Sequence, residues 1–408
     1  MRIAVLCEYF HPDNSGGTPT DLSELTLSLK KQYPEIEIDV ITSTNLYRPG
    51  AISEKLARQE DWNGVCIRRL NTPRSNRASM ALRLLAGGLF AGAALLRLLR
   101  RDRYDLLLIV TNPPANALAA WMYAKLKGGR YVYLVHDLYP DIAVALGGIA
   151  QQSFLVRVFS RMQKCWLNGA HRVVVLGRCM KEHIEQRYGV RPDRIEVIPS
   201  WADPDAITDA GQDNGFRRAN RLSGFVVLYA GNFSHYVNFD QILGAAKQLA
   251  PQARITFVFV GDGARRQELL AKVASESLTN VYILPKVPKT AMGEVLAASD
   301  VSLISLAPSM LGLGVPSKLY STLAAGRPVL AIVPSRCEVA RVLMEEQCGF
   351  NVEDGDCAGL ADRLRELQGN PALAAGMGRA ARHALEKRFT IQHATQRFYE
   401  VFKSVAKE

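Results

Sequence analysis

What most constrains this chain is a rhythm that runs twice. Short apolar runs alternate with helix-length segments through Arg2–Cys7, Glu37–Thr42, Val65–Leu70, Asp105–Thr111, Arg130–His136, Arg172–Leu176 and Arg194–Ile198. Helical stretches such as Thr20–Tyr33 and Pro114–Lys127 lie between them. Runs like "LLLIV" and "YVYLV" are apolar on both faces, as the strands of a covered parallel sheet must be. The rhythm breaks from Ser200 to Gly224, a polar stretch punctuated by Gly, Pro and Asp, which reads as a linker over 201–224. It then restarts with "FVVLYAG", "ITFVFVGDG", "NVYILP", "DVSLISL", "PVLAIV" and "CGFNVED". The pattern predicts an α/β chain with two Rossmann-like, doubly wound domains, 1–200 and 225–385. A helical tail follows, with no strand from Ala372 onward.

At 408 residues the chain exceeds one ordinary core, which agrees with two domains. Its net charge of +11 calls for an anionic partner: nucleic acid, a membrane surface or phosphorylated small molecules. Nucleic acid is not expected, because the basic residues are dispersed and lack interleaved aromatics. Seven scattered cysteines without a C-x-x-C pair read as reduced cytosolic thiols. The N-terminus runs straight into a strand, with no signal peptide.

One segment stands apart, "NRASMALRLLAGGLFAGAALLRLLRRDR" from Asn76 to Arg103. Its uncharged stretch between Arg83 and Arg97 reads as too short to span a bilayer, which takes about 20 apolar residues. Leu and Ala occupy too many faces for a helix covered on one side only, and arginines cluster at its end. The expectation is a helix lying in the interface of an anionic membrane, held by Arg97, Arg100 and Arg101. A core helix with a basic end is the alternative.

In open α/β sheets, ligands bind beyond the carboxyl ends of the strands, and five such loops here carry unusual residues. The first runs from His11 to Pro19, where Gly16 and Gly17 allow close backbone approach. "HDLYPD" places His136 and Asp137 at a strand end, apt for polar recognition or proton chemistry. Asp137 also suits a helix cap, and His136 could simply pack. In the second half, Gly231 and Asn232 form one turn. Gly261 and Gly263 form another, with Arg265 or Arg266 in the helix after it. Glycine turns after strands are common, so each alone says little.

The fifth loop, "GLGVPSKLYSTLAAGRPVLAIV", is the most informative. Pro316 suits the first turn of a helix and Gly326 its left-handed end. Leu319 and Leu323 share the core side. Lys318 is out of place, since a cation at a helix start costs ~0.3–1 kcal/mol. No acidic residue occurs between Asp300 and Glu338 to offset it. A bound anion would account for both facts. Neither a complete G-x-G-x-x-G nor G-x-x-x-x-G-K-[ST] is present, which argues against a dinucleotide dehydrogenase or a P-loop NTPase. The acidic pairs Asp203/Asp205 and Asp354/Asp356 read as structural rather than metal-binding.

Taken in order, "SGG", "HDLYPD", "GN", "GDG" and "VPSKLYSTLAAGRPV" resemble the retaining GT4 family of GT-B glycosyltransferases. The likeness is strongest to bacterial members that build exopolysaccharide, capsule or O-antigen. It implies two domains about a cleft, with a final helix (386–408, including Ala394–Lys407) crossing back onto the first. It also implies a nucleoside diphosphate sugar as substrate rather than a bound cofactor; no metal is expected, because no convincing acidic pair sits at a strand end and fixed cations can replace one. By position, Gly16 and Gly17 approach the diphosphate, and Asn232, Gly261 and Gly263 line the nucleotide site. Lys318 and the N–H groups near Ser317 and Leu319 bind phosphate, Arg266 adds charge, and His136 orients the transferred sugar. His11 and Asp137 fall on the acceptor side.

The chain departs from the family where paired glutamates are usual, carrying Leu313 and Ser321. Ser321 can offer one hydrogen bond but not the paired acceptance of a carboxylate. The basic pair common after the second-domain turn is also missing. The expected activity is transfer of a sugar, with retention, to a lipid-linked saccharide of a bacterial surface polysaccharide, on the inner face of the cell membrane. A sugar-nucleotide 2-epimerase and a non-catalytic sugar-nucleotide-binding partner subunit are the rivals.

Overall fold

The computed structural model describes residues 1–13, 17–46, 56–73, 80–100, 103–205, 207, 213–250 and 254–408. Met1–Pro199 and Ile391–Glu408 form one compact unit, and Ser200–Thr390 forms a second.

The first unit is built on strands β1 (Arg2–Leu6), β2 (Glu37–Ser43), β3 (Gln59–Trp62), β4 (Val65–Leu70), β5 (Leu106–Val110), β6 (Tyr131–Val135), β7 (Arg172–Val175) and β8 (Ile195–Val197). Its helices are α1 (Thr18–Gln32), α2 (Met80–Arg100), α3 (Asn116–Lys127), α4 (Asp141–Ala145), α5 (Phe154–Gly169) and α6 (Arg178–Tyr188). The sheet order is β3-β4-β2-β1-β5-β6-β7-β8, parallel except for β3. β5 and β6 are buried at every position, as two-faced apolar runs require. β3 was not anticipated. "QEDW" has no apolar alternation, because it is an edge strand whose side chains face solvent in part.

The second unit contains α7 (Gly215–Ala219), β9 (Phe225–Asn232), α8 (Phe239–Leu249), β10 (Ile255–Asp262), α9 (Arg266–Ser275), β11 (Val281–Leu284), α10 (Met292–Ala297) and β12 (Val301–Ser305). α11 (Lys318–Ala324), β13 (Val329–Ile332), α12 (Glu338–Glu346), β14 (Gly349–Val352), α13 (Cys357–Gly369) and α14 (Pro371–Arg388) complete it. Its six parallel strands run β11-β10-β9-β12-β13-β14 around a core rich in aromatics.

Two boundaries differ from expectation. The 201–224 stretch belongs to the second unit rather than linking two. The Asn214 side chain caps α7 by accepting from Arg217 N–H, and it donates to the Glu294 carbonyl at 2.9 Å. Arg217 pairs with Asp300 at 2.5 Å, and Leu222 joins the core. Polar residues that read as a linker are caps and ion pairs. At the other end the second unit runs on to Thr390, and α15 (Ile391–Lys407) packs on α1, β5 and β6 of the first. Tyr399 stacks on Tyr33 at 3.7 Å between ring centres, and Phe398, Phe402 and Val405 are buried.

α2 is both apolar and part of the fold. By length and a mean hydropathy of 1.7, Leu82–Arg100 would suffice to cross a membrane, contrary to the expectation that it is too short. Phe90, Ala94 and Leu98 are nevertheless buried, and α2 packs along α3. Gly87 lies so close to Pro113 that a Cβ would come within 2.8 Å of that ring. The opposite face is bare, with Leu84 59% and Leu85 60% exposed. Arg97 is half-buried, Arg100 is exposed, and Arg101 lies outside the described residues.

Candidate active site

In the second unit the chemistry collects at the carboxyl ends of β9 and β10. The two strands pair in register, Gly231 beside Gly261 and Asn232 beside Asp262. The glycines are dictated by crowding. A Cβ on Gly261 would sit 1.9 Å from the Gly231 carbonyl oxygen, and one on Gly263 would sit 2.5 Å from Asn232 Oδ1. At Gly231, where φ is 141°, a Cβ would fall 2.3 Å from Lys318 Cε and 2.8 Å from its Nζ. The glycine turn and the odd lysine are thus two halves of one arrangement.

Lys318 opens α11. Its Nζ donates to the Tyr229 hydroxyl at 2.5 Å and stands 3.9 Å from the centre of that ring. Tyr229 is fully buried among Phe233, Phe239 and Phe259, and it passes its own proton to the Asn232 carbonyl at 2.9 Å. Among the described residues no carboxylate lies within ion-pair distance of Lys318. Burial alone pushes its pKa down to about 7. An anion arriving here would meet a cation poorly compensated by its surroundings.

α11 differs in detail from the sequence expectation. It begins at Lys318, so Pro316 lies before the helix rather than in its first turn. At seven residues it has little macrodipole to offer, and the lysine matters more than the helix end. Gly326 is left-handed, φ 62°, as its place after the helix requires. Leu319 and Leu323 are fully buried, so Leu319 could meet a ligand only through its backbone. Ser317 is exposed and makes no capping bond through its side chain. Ser321 donates its hydroxyl proton to the Lys318 carbonyl at 3.0 Å, which leaves only lone pairs for a ligand. Leu313 is buried.

The structure also separates two adjacent arginines. Arg265 pairs with Glu268 and Asp240 and donates to the Val237 carbonyl at 3.0 Å. Arg266, the first residue of α9, is half-buried and makes no ion pair among the described residues. Nearby, the Ser234 hydroxyl is buried without a partner. Sequence reasoning missed Tyr229 entirely.

In the first unit, His136 follows the last residue of β6. Its Nδ1 lies 3.9 Å from Asp21 Oδ2 in the first turn of α1, and burial holds its pKa at about 4. The imidazole is therefore neutral at physiological pH. Gly17 is the residue before α1, left-handed at φ 70°, with nothing within 4 Å of where a Cβ would be; Gly16 lies outside the described residues. His11 stacks on Trp62 at 3.9 Å and its carbonyl accepts from Arg69 Nη2 at 2.9 Å, so its ring serves packing.

Asp137 does not cap a helix. It is exposed, and its N–H donates to Thr111 Oγ1, while α4 starts four residues on with Pro140 before it. The intervening turn puts the first helical N–H groups out of its reach. The working carboxylate of this motif is Asp141, which accepts from the Tyr188 hydroxyl and lies within 3.7 Å of His183 and 3.5 Å of Arg187. The acidic pairs make local hydrogen bonds. Asp356 caps α13, Asp354 accepts from Asn238, and Asp203 accepts from the Asp205 N–H. Among the described residues no cluster of His, Cys, Asp or Glu could hold a metal.

Comparison with known proteins identifies the family. Residues 16–201 match the family described as a glycosyl transferase 4-like domain, and residues 224–370 match glycosyl transferases group 1. The chain is 29% identical over 298 residues to a probable glycosyltransferase, WbjE, of Pseudomonas aeruginosa, covering 72% of this chain and 74% of that one. Among solved structures it resembles sucrose-phosphate synthase of Thermosynechococcus elongatus, with a TM-score of 0.78 and 16% identity over 99% of both chains. It also resembles Anabaena HepE in complex with UDP, with a TM-score of 0.73 and 17% identity over 99% of this chain and 100% of that one.

Proposed function

Because the chain belongs to the GT4-type glycosyltransferases of GT-B fold that serve surface polysaccharide synthesis, we propose that it transfers a sugar from a nucleoside diphosphate donor, with retention, to a lipid-linked saccharide. The observation that carries the donor assignment is Lys318: a half-buried lysine with no carboxylate within ion-pair distance among the described residues, at the mouth of two glycine turns. HepE, of similar fold, binds UDP, which supports a uridine or related nucleotide here.

In this reading Lys318 and Arg266 offset the charge of the donor diphosphate and the further negative charge that grows on its leaving oxygen as the bond to the sugar breaks. Fixed cations in a water-poor site stabilise such charge without a metal. The acceptor hydroxyl gives its proton to the departing phosphate oxygen as the new glycosidic bond forms on the face the diphosphate leaves. His136, neutral and fixed at the end of β6, orients the transferred sugar. The enzyme works in the cytoplasm, on the inner face of the membrane, with the bare leucine face of α2 lying in the lipid interface.

The buried Leu313 and the self-bonded Ser321 favour a second reading, a sugar-nucleotide-binding subunit without turnover. Titration calorimetry with a panel of nucleoside diphosphate sugars, followed by transfer to extracted lipid-linked acceptor in excess EDTA, tests both. Binding and metal-independent transfer support the enzyme. Binding without transfer favours the subunit, and no binding by any donor sinks both.

A further inference from the structure

α2 is not the only bare apolar surface of the first unit. At the start of α5, Phe154 is 71% exposed and Leu155 69% exposed, although both belong to side-chain types that folded proteins usually cover. Neither α2, α3 nor α5 contains a single Asp or Glu. Their exposed charges are all positive, including Arg83, Arg100, Lys125, Arg157, Arg161 and Lys164.

The topology puts these helices in one layer. α2 leads from β4 to β5, α3 from β5 to β6, and α5 from β6 to β7, all in the same direction along the sheet. Right-handed crossovers made in one direction fall on one face. α3 accordingly packs against both α2 and α5. Each helix runs back against the strands it joins, so its N-terminus lies at the carboxyl edge of the sheet. Leu82, Leu84, Leu85 and Leu89 in the first half of α2 therefore share an edge with Phe154 and Leu155. His136, at the end of β6, stands at that edge too.

We propose that Phe154 and Leu155 form a second membrane-insertion point, so that the acid-free layer of α2, α3 and α5 docks as a unit on an anionic bilayer. The charge pattern selects the occupant. Apolar groups ringed by one sign of charge fit a negatively charged lipid surface, where each nearby Lys or Arg adds attraction and the apolar tips partition below the headgroups. A second copy of this chain would set basic helices against basic helices. The consequence is functional: two anchors fix the tilt of the unit, where α2 alone would leave it free to roll. This inference rests on the membrane association argued above and specifies its geometry.

The experiment uses the full-length protein and vesicles of phosphatidylcholine with or without phosphatidylglycerol. The wild type should float with anionic vesicles and be released by salt. A Phe154→Gln, Leu155→Gln variant should bind about tenfold or more weakly, since two large apolar side chains no longer enter the interface. It should melt like the wild type, because neither side chain is packed. A Phe154→Trp variant should show added fluorescence quenched by brominated lipid. If the wild type ignores anionic vesicles, membrane association itself fails. If α2 variants abolish binding while the Phe154/Leu155 variant binds like wild type, and Trp at 154 is not quenched, only the second anchor fails. A wild-type dimer in solution that the Phe154/Leu155 substitutions dissolve would assign the surface to self-association and overturn the proposal.

Discussion

The Lys318 ammonium rests on Tyr229, 2.5 Å from its hydroxyl and 3.9 Å from the ring centre, with the space for it left by the missing side chain of Gly231. Removing the lysine should weaken donor binding by roughly 1.5–3 kcal/mol, the scale of a hydrogen bond to a charged group. Calorimetric titration of Lys318→Ala with nucleoside diphosphate checks it, and unchanged affinity refutes the assignment.

The depressed pKa gives this a pH signature. With its pKa near 7, the lysine in the empty site is largely neutral above that pH, while a diphosphate needs it charged. Donor binding should therefore take up a proton above pH 7, and affinity should fall as pH rises, by up to about tenfold per unit. Titration in two buffers of different ionisation enthalpy measures the uptake. Lys318→Arg should abolish it, since the guanidinium stays charged.

The same group links to stability with a definite sign. Between about pH 7 and the ordinary lysine value the unfolded chain binds the proton that the folded one gives up, so this group raises stability as pH increases. Below pH 7 it is a net burden. Lys318→Met should melt higher than wild type at pH 6.5 without ligand, and the difference should shrink as pH rises. A lower melting point would show that the lysine is a structural support.

Gly231→Ala tests the shared space. The new methyl must displace the lysine, and φ of 141° adds strain of about 1–3 kcal/mol. Donor affinity should fall as far as in Lys318→Ala. In the double variant the two affinity losses should not add, because both remove the same contact. Additive losses would separate the glycine from the lysine.

The neighbouring arginines should divide cleanly. Arg266→Ala should lower donor affinity about tenfold with melting unchanged. Arg265→Ala should cost ~1 kcal/mol of stability, because it dismantles the bonds to Glu268, Asp240 and the Val237 carbonyl. The reverse pattern would reassign the anion site.

His136→Ala should reduce turnover about 10²-fold with melting and nucleotide affinity preserved. Because burial holds the imidazole neutral, His136 should contribute no titration to the rate between pH 5.5 and 8. Asp137→Ala should change stability by less than about 0.5 kcal/mol, being exposed and capping nothing. Asp141→Asn should cost more, since it loosens Tyr188, His183 and Arg187 together. Early melting of His136→Ala with a normal rate per folded molecule would make it a packing residue.

Much of this was legible in the sequence, for reasons that vary by residue. β5 and β6 announce themselves because both faces are buried and the chain must be apolar throughout. Lys318 is legible because it violates a local rule, and the surrounding absence of acid is visible in one dimension. Tyr229 is not, since an aromatic in a buried strand looks like core until a distant lysine is placed on it. Arg265 and Arg266 cannot be told apart in sequence, because one residue of helical rotation decides which faces Asp240. Asp137 misled for the opposite reason. A carboxylate near a helix is a good cap only at one register, and Tyr139-Pro140 shifts the helix beyond it.

The interleaved composition of the first unit has a temporal consequence. During synthesis, residues 1–199 emerge long before α15, whose Phe398, Phe402 and Val405 are buried in that unit beside β5 and β6. Residues 200–390, by contrast, are contiguous and can close their own sheet as soon as they are made. The half translated first should thus be the half finished last, carrying an open apolar seam through the making of some 190 further residues. A nascent chain arrested before residue 391 should present a protease-resistant second unit and a chaperone-dependent first one.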